Sequence, residues 1–352
     1  MGKERNGNYF EDFQVGAKIT HATPRTLTEG DQSLYVGLTG SRAALHTADT
    51  NARQLGFERR PLEDLLVFNV AFGKTVPDIS LNAIANLGYS DVRFVAPVYP
   101  GDTLAVESEV IGLKENSSRQ SGVVYVRSIA TNQYGIEVLT WIRWVMIRKR
   151  DGGADCPEKF VPSLDPWVLA DRLEWGAYTA DVQKICSTTG VNDLWDDYAV
   201  GERIVHPGAM TINNSDHSIA TRLYQNTAKA HFDGFSAAAA GGQRLVYGGH
   251  VISICKALAY DGIENGLSIL AINAGSHVNP TYASDTIACA TEVIDKFDFN
   301  SNYVGGLRLR TVGVKNARPE SIEFPESKLG KVSYPGNVVL DLDYTIAIPK
   351  RM

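Results

Sequence analysis

Cysteine is scarce in this chain, and its few positions carry no metal or disulfide pattern. Four cysteines occur among 352 residues, at Cys156, Cys186, Cys255 and Cys289. None belongs to a C-x-x-C pair, and the histidines do not cluster with them at the spacing of zinc ligands. We therefore expect reduced thiols, no metal centre and a cytoplasmic protein.

Phosphate-binding loops, basic runs and long apolar stretches are also missing. No G-x-G-x-x-G follows a strand pattern and no G-x-x-x-x-G-K-[ST] occurs, so nucleotide-binding loops are not supported. The net charge is −6, with acidic and basic residues interspersed, which argues against a nucleic-acid partner. The chain has no apolar run of about 18 residues and begins with a polar segment, so we expect neither a membrane span nor a signal peptide.

What the chain does have is an internal repeat of domain length. EDFQVGAKITH at 11–21 recurs as DDYAVGERIVH at 196–206, an offset of 185 residues. At the same offset His46 falls on His231, and a later strand pattern recurs with the offset reduced to 183. A period of this size indicates two copies of one fold, because solenoid units repeat every 20–50 residues or so, about a quarter of this length at most.

Each copy shows the same order of secondary structure, an α+β pattern in which helices precede a long antiparallel meander. Strand-like runs close each half, and the first meander has a hairpin turn at Asn132 to Gly135. Apolar residues on nearly every face predict a central helix at about 62–73 and another at about 249–260. We divide the chain into a first half at 1–150, a linker at 151–194 with a short helix near 167–173, and a second half at 195–352.

Several longer strings resemble MaoC-like acyl-CoA hydratases. RFVAPVYPGDTL at 93–104 is similar to that family's strand-turn-strand signature. TGSRAALH at 39–46 is similar to its active segment, which reads roughly [ST]-G-D-x-N-P-x-H. The likeness fails at the catalytic Asp position, where the first copy has Ser41 and the second has Asn226. The strings LTGSRAALHTADTNARQLGF, GKTVPDISLNAIANLGYSDVRF and RLVYGGHVIS resemble the mesaconyl-CoA hydratases within that family.

The resemblance implies a double hot-dog fold, in which each half wraps a curved antiparallel sheet around a long central helix. It also implies a hydro-lyase that reversibly adds or removes water on a branched, carboxylated acyl-CoA. CoA is then part of the substrate, and no cofactor or metal is needed. The family habit and exposed sheet edges further predict a homodimer.

The residues divide this chemistry unequally between the two halves. Hydration of an unsaturated thioester needs donors for the developing oxyanion, and the unpaired amides of a helix N-terminus supply them. Gly248 and Gly249 open the second central helix and would let a thioester carbonyl approach the backbone closely. Glu63 and Asp64, at the start of the first, would repel an enolate. We therefore expect the oxyanion site in the second half, although the motif alone leaves open which half holds the working site.

His231 is the group expected to activate water or transfer a proton, because an imidazole titrates near neutral pH. Asn226 cannot transfer a proton, so Asp233 is a candidate for the missing acid or for an orienting group. Our hypothesis is that a second carboxylate would repel a carboxylated substrate, whereas Asn226 or Ser41 can still hydrogen-bond to it. His46 is equally consistent with a catalytic residue and with an inherited core residue.

An anionic substrate also calls for a cationic partner. Arg42 and Arg244 are our candidates, because they lie inside or beside the motifs and a guanidinium pairs with both oxygens of a carboxylate. Each is equally consistent with an ordinary salt bridge. Two other functions stay open, an acyl-CoA thioesterase and a non-catalytic acyl-CoA-binding protein.

Overall fold

The computed structural model describes residues 6–155, 159–176, 178, 180–239, 242–325, 327–328 and 331–351. Its α-helices are α1 (Glu29–Thr39), α2 (Ala44–Thr47), α3 (Asp49–Gln54), α4 (Asp64–Thr75), α5 (Ile185–Thr189), α6 (Asn214–Leu223), α7 (Lys229–Phe232), α8 (Gly234–Ala239) and α9 (Gly248–Leu258). Its strands are β1 (Lys18–Thr20), β2 (Arg25–Thr26), β3 (Ala83–Phe94), β4 (Thr103–Glu115), β5 (Ser121–Thr131), β6 (Glu137–Arg148), β7 (Arg203–Thr211), β8 (Ile269–His277), β9 (Thr286–Phe297), β10 (Val304–Lys315), β11 (Ser327–Lys328), β12 (Lys331–Val332) and β13 (Val338–Pro349).

One antiparallel sheet runs through both halves. Its strand order is β1-β4-β5-β6-β3-β8-β13-β10-β9-β7, with β2 also paired to β4. The halves meet where β3 pairs with β8, placing Tyr89 opposite Gly275 and Arg93 opposite Ala271. Each half wraps its sheet around one buried helix, α4 or α9, whose residues are apolar on almost every face. The architecture confirms the predicted α+β double hot-dog fold.

The central helices lie close to their predicted positions. Helix α4 starts at Asp64 because the preceding segment is extended, with the Leu62 N–H donating to the Val98 carbonyl at 2.8 Å. At its other end α4 continues into a π-helical turn at Val76–Ser80. The predicted short helix near 167–173 is only a 3-10 turn at Ala170–Arg172.

The segment predicted to be a linker packs against the first half. Its buried side chains join a cluster with Leu45, Leu55 and Phe57 of the first half and with Leu270 of the second. These linker residues are Val168, Leu173, Tyr178, Val182 and Ile185. The segment therefore covers part of the first half as well as connecting the two copies.

The repeat is visible in the hydrogen bonds of the core. His21 places Nε2 2.8 Å from the Ser108 hydroxyl, and His206 places Nε2 2.7 Å from the Thr291 hydroxyl. Both rings are buried. The two histidines are thus equivalent core residues inherited by both copies.

The described cysteines Cys186, Cys255 and Cys289 carry free thiols, while Cys156 lies outside the described residues. Across the part of the chain that the structure describes, no helix is long and apolar enough to span a bilayer. In the same residues, no three His, Cys, Asp or Glu side chains converge as a metal site.

One buried polar side chain in α9 differs from its counterpart in α4. His250 is 1 % exposed, and neither ring nitrogen has a hydrogen-bond partner among the described residues. Burial, with a smaller contribution from His217, lowers the pKa of His250 to about 4. If the helix starts Asp64 and Gly248 are aligned, the equivalent residue in the first copy is Leu66.

We expect His250→Leu to raise the free energy of unfolding by about 1–3 kcal/mol at pH 7.5, because it removes unsatisfied buried polar atoms. The gain should increase at pH 5. Below about pH 6.5 the unfolded wild-type chain binds a proton at this histidine, whereas the folded chain does so only near pH 4, so folded stability is lost as the pH falls. Urea unfolding at both pH values measures the increments, and a gain that does not grow at pH 5 would contradict this account.

Candidate active site

A cavity of about 360 Å³ lies at the seam between the two halves. The first half contributes α4, β3 and β6, and the second contributes the α7 segment, the start of α9 and the end of β8. Its lining includes the side chains of Tyr89, Arg143, Asn226, His231 and His277, together with Gly248. Both copies therefore supply walls of this cavity.

His231 enters the cavity as a neutral base. Its Nδ1 is 3.0 Å from the Leu245 carbonyl oxygen. A carbonyl can only accept, so Nδ1 carries the proton and Nε2 keeps its lone pair. Burial lowers the pKa of His231 to about 4, outweighing the opposite effect of the Leu245 hydrogen bond. The ring is therefore unprotonated at neutral pH and can accept a proton.

Asn226 shapes the turn before α7 and also lines the cavity. It is buried, and its side-chain oxygen accepts the Ala228 N–H at 3.0 Å. In the first copy, the Ser41 hydroxyl accepts the Ala43 N–H at 3.4 Å. The two residues at the Asp position of the motif thus make the same local turn, and Asn226 does so without adding a charge to the cavity.

Of the two glycines at the start of α9, Gly248 lines the cavity and Gly249 is buried behind it. Among the described residues, neither backbone N–H has a hydrogen-bond partner, as expected for the first turn of a helix. A Cβ on Gly248 would lie 2.4 Å from the His277 ring, and one on Gly249 would lie 2.0 Å from the Asn69 side-chain oxygen. The missing side chains therefore admit His277 and Asn69, rather than only a ligand as the sequence suggested.

His277 and Tyr89 are cavity residues that the sequence did not single out. His277 Nε2 is 3.0 Å from the Tyr89 hydroxyl, and their rings are nearly perpendicular, at 88°. Burial, with a smaller effect of His231, lowers the pKa of His277 to about 4. The cavity thus holds two neutral imidazoles, those of His231 and His277, close to the start of helix α9. A histidine just before the Asn279-Pro280 break that ends β8 was the only sequence signal for this residue.

Arg143 is the third residue that sequence reasoning missed. It projects from β6, is fully buried, and lies over the Phe72 ring with its guanidinium carbon 4.2 Å from the ring centroid. Burial lowers the pKa of Arg143 to about 10, so it remains a cation at neutral pH. In the sequence it stands inside a strand-like apolar run, where its side-chain direction was not evident.

The equivalent position in the first half is occupied by a network of opposite charges. His46 Nε2 is 3.6 Å from the carboxylate of Asp64, the residue that starts α4 as Gly248 starts α9. Burial alone would lower the pKa of His46, but Asp64 and Glu63 together raise it to about 9. Ser41 donates its hydroxyl proton to Glu63. Burial lowers the pKa of Lys256 on α9, and the carboxylates of Glu63 and Asp64 oppose part of that shift. These charges neutralise one another within the protein.

The linker also lies over this first-half position. Trp175 and Tyr178 line a smaller cavity of about 260 Å³ together with His46 and Asp64. The first copy thus combines an internal ion pair with a protein cover. The seam cavity combines the neutral bases and helix amides of the second copy with an arginine, Arg143, from the first. Of the two cavities, the seam cavity has the composition of a site for an anionic, electrophilic ligand.

The remaining predicted site residues lie outside the seam cavity. Asp233 caps α8, accepting the Phe235 N–H at 2.9 Å and the Ser236 hydroxyl at 2.6 Å. Arg42 is exposed and pairs with Asp261 at 2.6 Å. Arg244 donates to Asn214 at 2.8 Å and to Ser218 at 2.9 Å. Closeness to a motif in sequence did not bring these arginines to the cavity, because their side chains find partners on the protein's outer surface.

The fold and the seam cavity define a double hot-dog protein of the MaoC-like class. A solved structure described as a putative MaoC domain protein dehydratase from Chloroflexus aurantiacus superimposes with a TM-score of 0.91 at 47% identity over 100% of both chains. A conserved hypothetical protein from Mycobacterium tuberculosis with a double hot-dog fold gives a TM-score of 0.76 at 22% identity, covering 98% of this chain and 99% of its own, a likeness of fold alone.

Sequence comparison narrows the class to one family. The model of the mesaconyl-CoA hydratase family matches residues 2–165. The β-methylmalyl-CoA dehydratase of Chloroflexus aurantiacus is 48% identical over 351 residues, 99% of each chain. The mesaconyl-CoA hydratase of Cereibacter sphaeroides is 46% identical over 348 residues, 99% of this chain and 100% of its own. The chain belongs to the mesaconyl-CoA hydratase family, as the sequence motifs predicted.

The first-half ion pair generates a stability prediction. Because the pKa of His46 is about 9 in the folded chain and about 6.5 in the unfolded one, its contribution is complete below about pH 6.5 and is lost as the pH rises towards 9. His46→Gln should therefore be less stable than wild type by about 3 kcal/mol at pH 6, and the gap should close by pH 9.5.

Urea unfolding across this pH range measures the gap. His206→Gln is the matched control, because burial lowers the pKa of that equally buried histidine. The difference in free energy of unfolding between this variant and wild type should therefore not close as the pH rises from 6 to 9.5. A His46→Gln gap that stays constant from pH 6 to 9.5 would rule out a protonated His46 in the folded protein.

Proposed function

We propose that this protein interconverts β-methylmalyl-CoA with mesaconyl-CoA and water. The observation that carries the proposal is identity of 46–48% along the whole chain to two relatives named for the two directions of this reaction. The seam cavity supports it, since it supplies a neutral base beside unpaired helix amides. Neither the thioesterase nor the acyl-CoA-binding alternative gains support from the relatives.

In the proposed hydration, Nε2 of His231 accepts a proton from water while the water oxygen bonds to the β-carbon of the enoyl thioester. The electron pair of the double bond moves onto the thioester oxygen, and the Gly248 N–H at the start of α9 stabilises that charge. The proton then passes to the α-carbon, so one water molecule is added and His231 returns to its neutral state. Dehydration follows the same steps in reverse.

The proposed roles of the neighbouring residues follow from their charge. Asn226 can orient water or substrate without placing a second carboxylate beside an anionic acyl group. His277 lies against Gly248, and its neutral ring can hydrogen-bond within the same space. Lys229 is exposed where it lines the cavity and is suited to the phosphates of CoA.

Several expectations from the sequence remain part of the proposal. The proposed reaction uses CoA only as part of the substrate and needs no further cofactor or metal. A homodimer and a cytoplasmic location stay predictions, as do the catalytic roles of His231 and Asn226.

The proposed function is tested with two enoyl thioesters. We expect the purified protein to hydrate mesaconyl-CoA, followed as loss of enoyl-thioester absorbance, and to leave crotonyl-CoA, which lacks the carboxylate, essentially unchanged. Product analysis should give β-methylmalyl-CoA with no free thiol. Release of CoA detected by a thiol reagent would instead indicate a thioesterase, and binding without turnover would indicate an acyl-CoA-binding protein.

Exchange of the two repeated histidines locates the working half. We expect His231→Asn to lower kcat for mesaconyl-CoA by about 100-fold or more, the usual range for loss of a general base, with little change in stability. The repeat-equivalent control His46→Asn should keep kcat within about threefold once rates are corrected for the folded fraction. A larger loss of kcat in His46→Asn than in His231→Asn would move the reaction to the first-half cavity.

A further inference from the structure

Arg143 is a buried cation that no acidic side chain of the described residues pairs with. Its Nη2 donates to the Thr75 hydroxyl at 2.8 Å, and Ser80 lies farther away at 3.5 Å. Among the described residues, its Nε has no hydrogen-bond partner and no carboxylate forms a salt bridge with it. Asp78, two residues before Ser80, pairs instead with His21 at 2.8 Å. Buried charges in proteins are ordinarily paired, so this exception calls for an explanation.

Other unpaired donors border the same cavity. The Tyr247 hydroxyl is buried and has no partner within the described residues, and the side-chain amide of Asn86 has none either. Tyr247 is 4% exposed and lies close enough to Arg143 to influence its charge. Two or more oxygens of a single anion would satisfy donors that the protein itself leaves without acceptors.

The internal repeat shows that the fold does not require a cation here. Ser128 and Thr311 occupy equivalent positions in the two copies. Ser128 is hydrogen-bonded to Ser108, the partner of His21, and Thr311 is hydrogen-bonded to Thr291, the partner of His206. The strand register counted from these two residues aligns Arg143 of β6 with Tyr344 of β13. Tyr344 is buried, and its hydroxyl is 3.3 Å from Thr311. The second copy thus fills the same place with a neutral, satisfied side chain.

Nearby titratable groups leave the positive charge uncompensated. Tyr89 and Tyr247 are neutral at pH 7, and burial raises the pKa of each phenol further above its ordinary value. His231 and His277 are also neutral at pH 7. The cavity therefore carries a net positive charge when empty, and a ligand with a negative group at its acyl end would restore the balance.

We propose that Arg143, with Tyr247 and Asn86, binds the free carboxylate of the acyl group and so makes the enzyme specific for carboxylated thioesters. This inference rests on the proposed function for the identity of the substrate. It replaces Arg42 and Arg244, whose guanidinium groups lie away from the cavity and have other partners. The planar guanidinium can meet both carboxylate oxygens, while the thioester end lies towards Gly248.

The test compares two unreactive thioesters that differ in the terminal group, succinyl-CoA and butyryl-CoA, by calorimetric titration. Wild type should bind succinyl-CoA at least about 30-fold more tightly than butyryl-CoA, the lower range for a desolvated charge pair. Arg143→Met should reduce this ratio to about threefold or less without weakening butyryl-CoA, because Met keeps an unbranched side chain of similar length. With mesaconyl-CoA, kcat/KM should fall by about 30-fold or more in the same variant.

Two further variants keep the test decisive. Arg127→Gln removes an exposed arginine from the adjacent strand β5 and should leave the binding ratio unchanged. Arg143→Lys keeps the charge but loses the forked geometry, and should lower the ratio by about fivefold or more. If Arg143→Met does not fold, the lysine variant decides the matter, and an unchanged ratio there would overturn the proposal.

The outcomes separate this inference from the proposed function. If wild type hydrates mesaconyl-CoA and Arg143→Met keeps the preference for succinyl-CoA, the carboxylate site is refuted and the function stands. If wild type does not hydrate mesaconyl-CoA but shows an Arg143-dependent preference for succinyl-CoA, the site stands and the function fails.

Discussion

The close approach of the two halves at the seam is the constraint on which the rest of the structure depends. Asn69 of α4 donates to the Gly249 carbonyl at 3.3 Å and to the Ser253 hydroxyl at 3.1 Å of α9. Reciprocally, a Cβ on Gly73 would lie 1.9 Å from the Tyr224 carbonyl oxygen. A clash with backbone cannot be relieved by changing a rotamer, so Gly73 helps to set the distance between the halves. The width of the seam cavity follows from that distance.

The two copies hold His46 and His231 at equivalent positions, but the surroundings of the two rings differ in charge. They favour the protonated form of His46 and the neutral form of His231. In the first copy, Asp64 begins the central helix and holds a protonated His46, so charge is balanced inside the protein. In the second, Gly248 begins the helix, His231 is neutral and the cation comes from Arg143 on the other half. The second arrangement leaves a positive charge that no carboxylate of the described residues balances and that a ligand can meet. In the fused chain the second copy supplies the neutral base and the start of α9, and the first copy supplies the arginine.

Sequence patterns were sufficient for the fold, the repeat and the family. The central helices were found because a helix enclosed by a sheet is apolar on every face, and the hairpin turn was found from its Asn and Gly residues. His231 and Gly248, which both line the seam cavity, were singled out because both lie in recognisable strings. These features are local, and local patterns can be read directly from sequence.

The residues that were missed are those whose role depends on distant parts of the chain. Arg143 stands in an apolar strand, and only the register of β6 and the position of α4 show that it borders the cavity. His277 lies at a strand end without a motif, and its contact with Tyr89 spans 188 residues. Arg42 failed as a candidate for the converse reason, because a position inside the motif does not determine which way a side chain points.

Charge balance in the seam cavity links substrate choice to the strength of the base. Burial keeps His231 neutral, which makes it available to accept a proton but also a weak base. A bound carboxylate would favour the protonated form of a nearby imidazole, since an opposite charge stabilises the charged state of an ionisable group. Arg143 moderates this effect by pairing with the same carboxylate. A thioester without the carboxylate would leave the arginine unpaired and the imidazole at its weakest, so the discrimination between substrates extends from binding to the proton-transfer step.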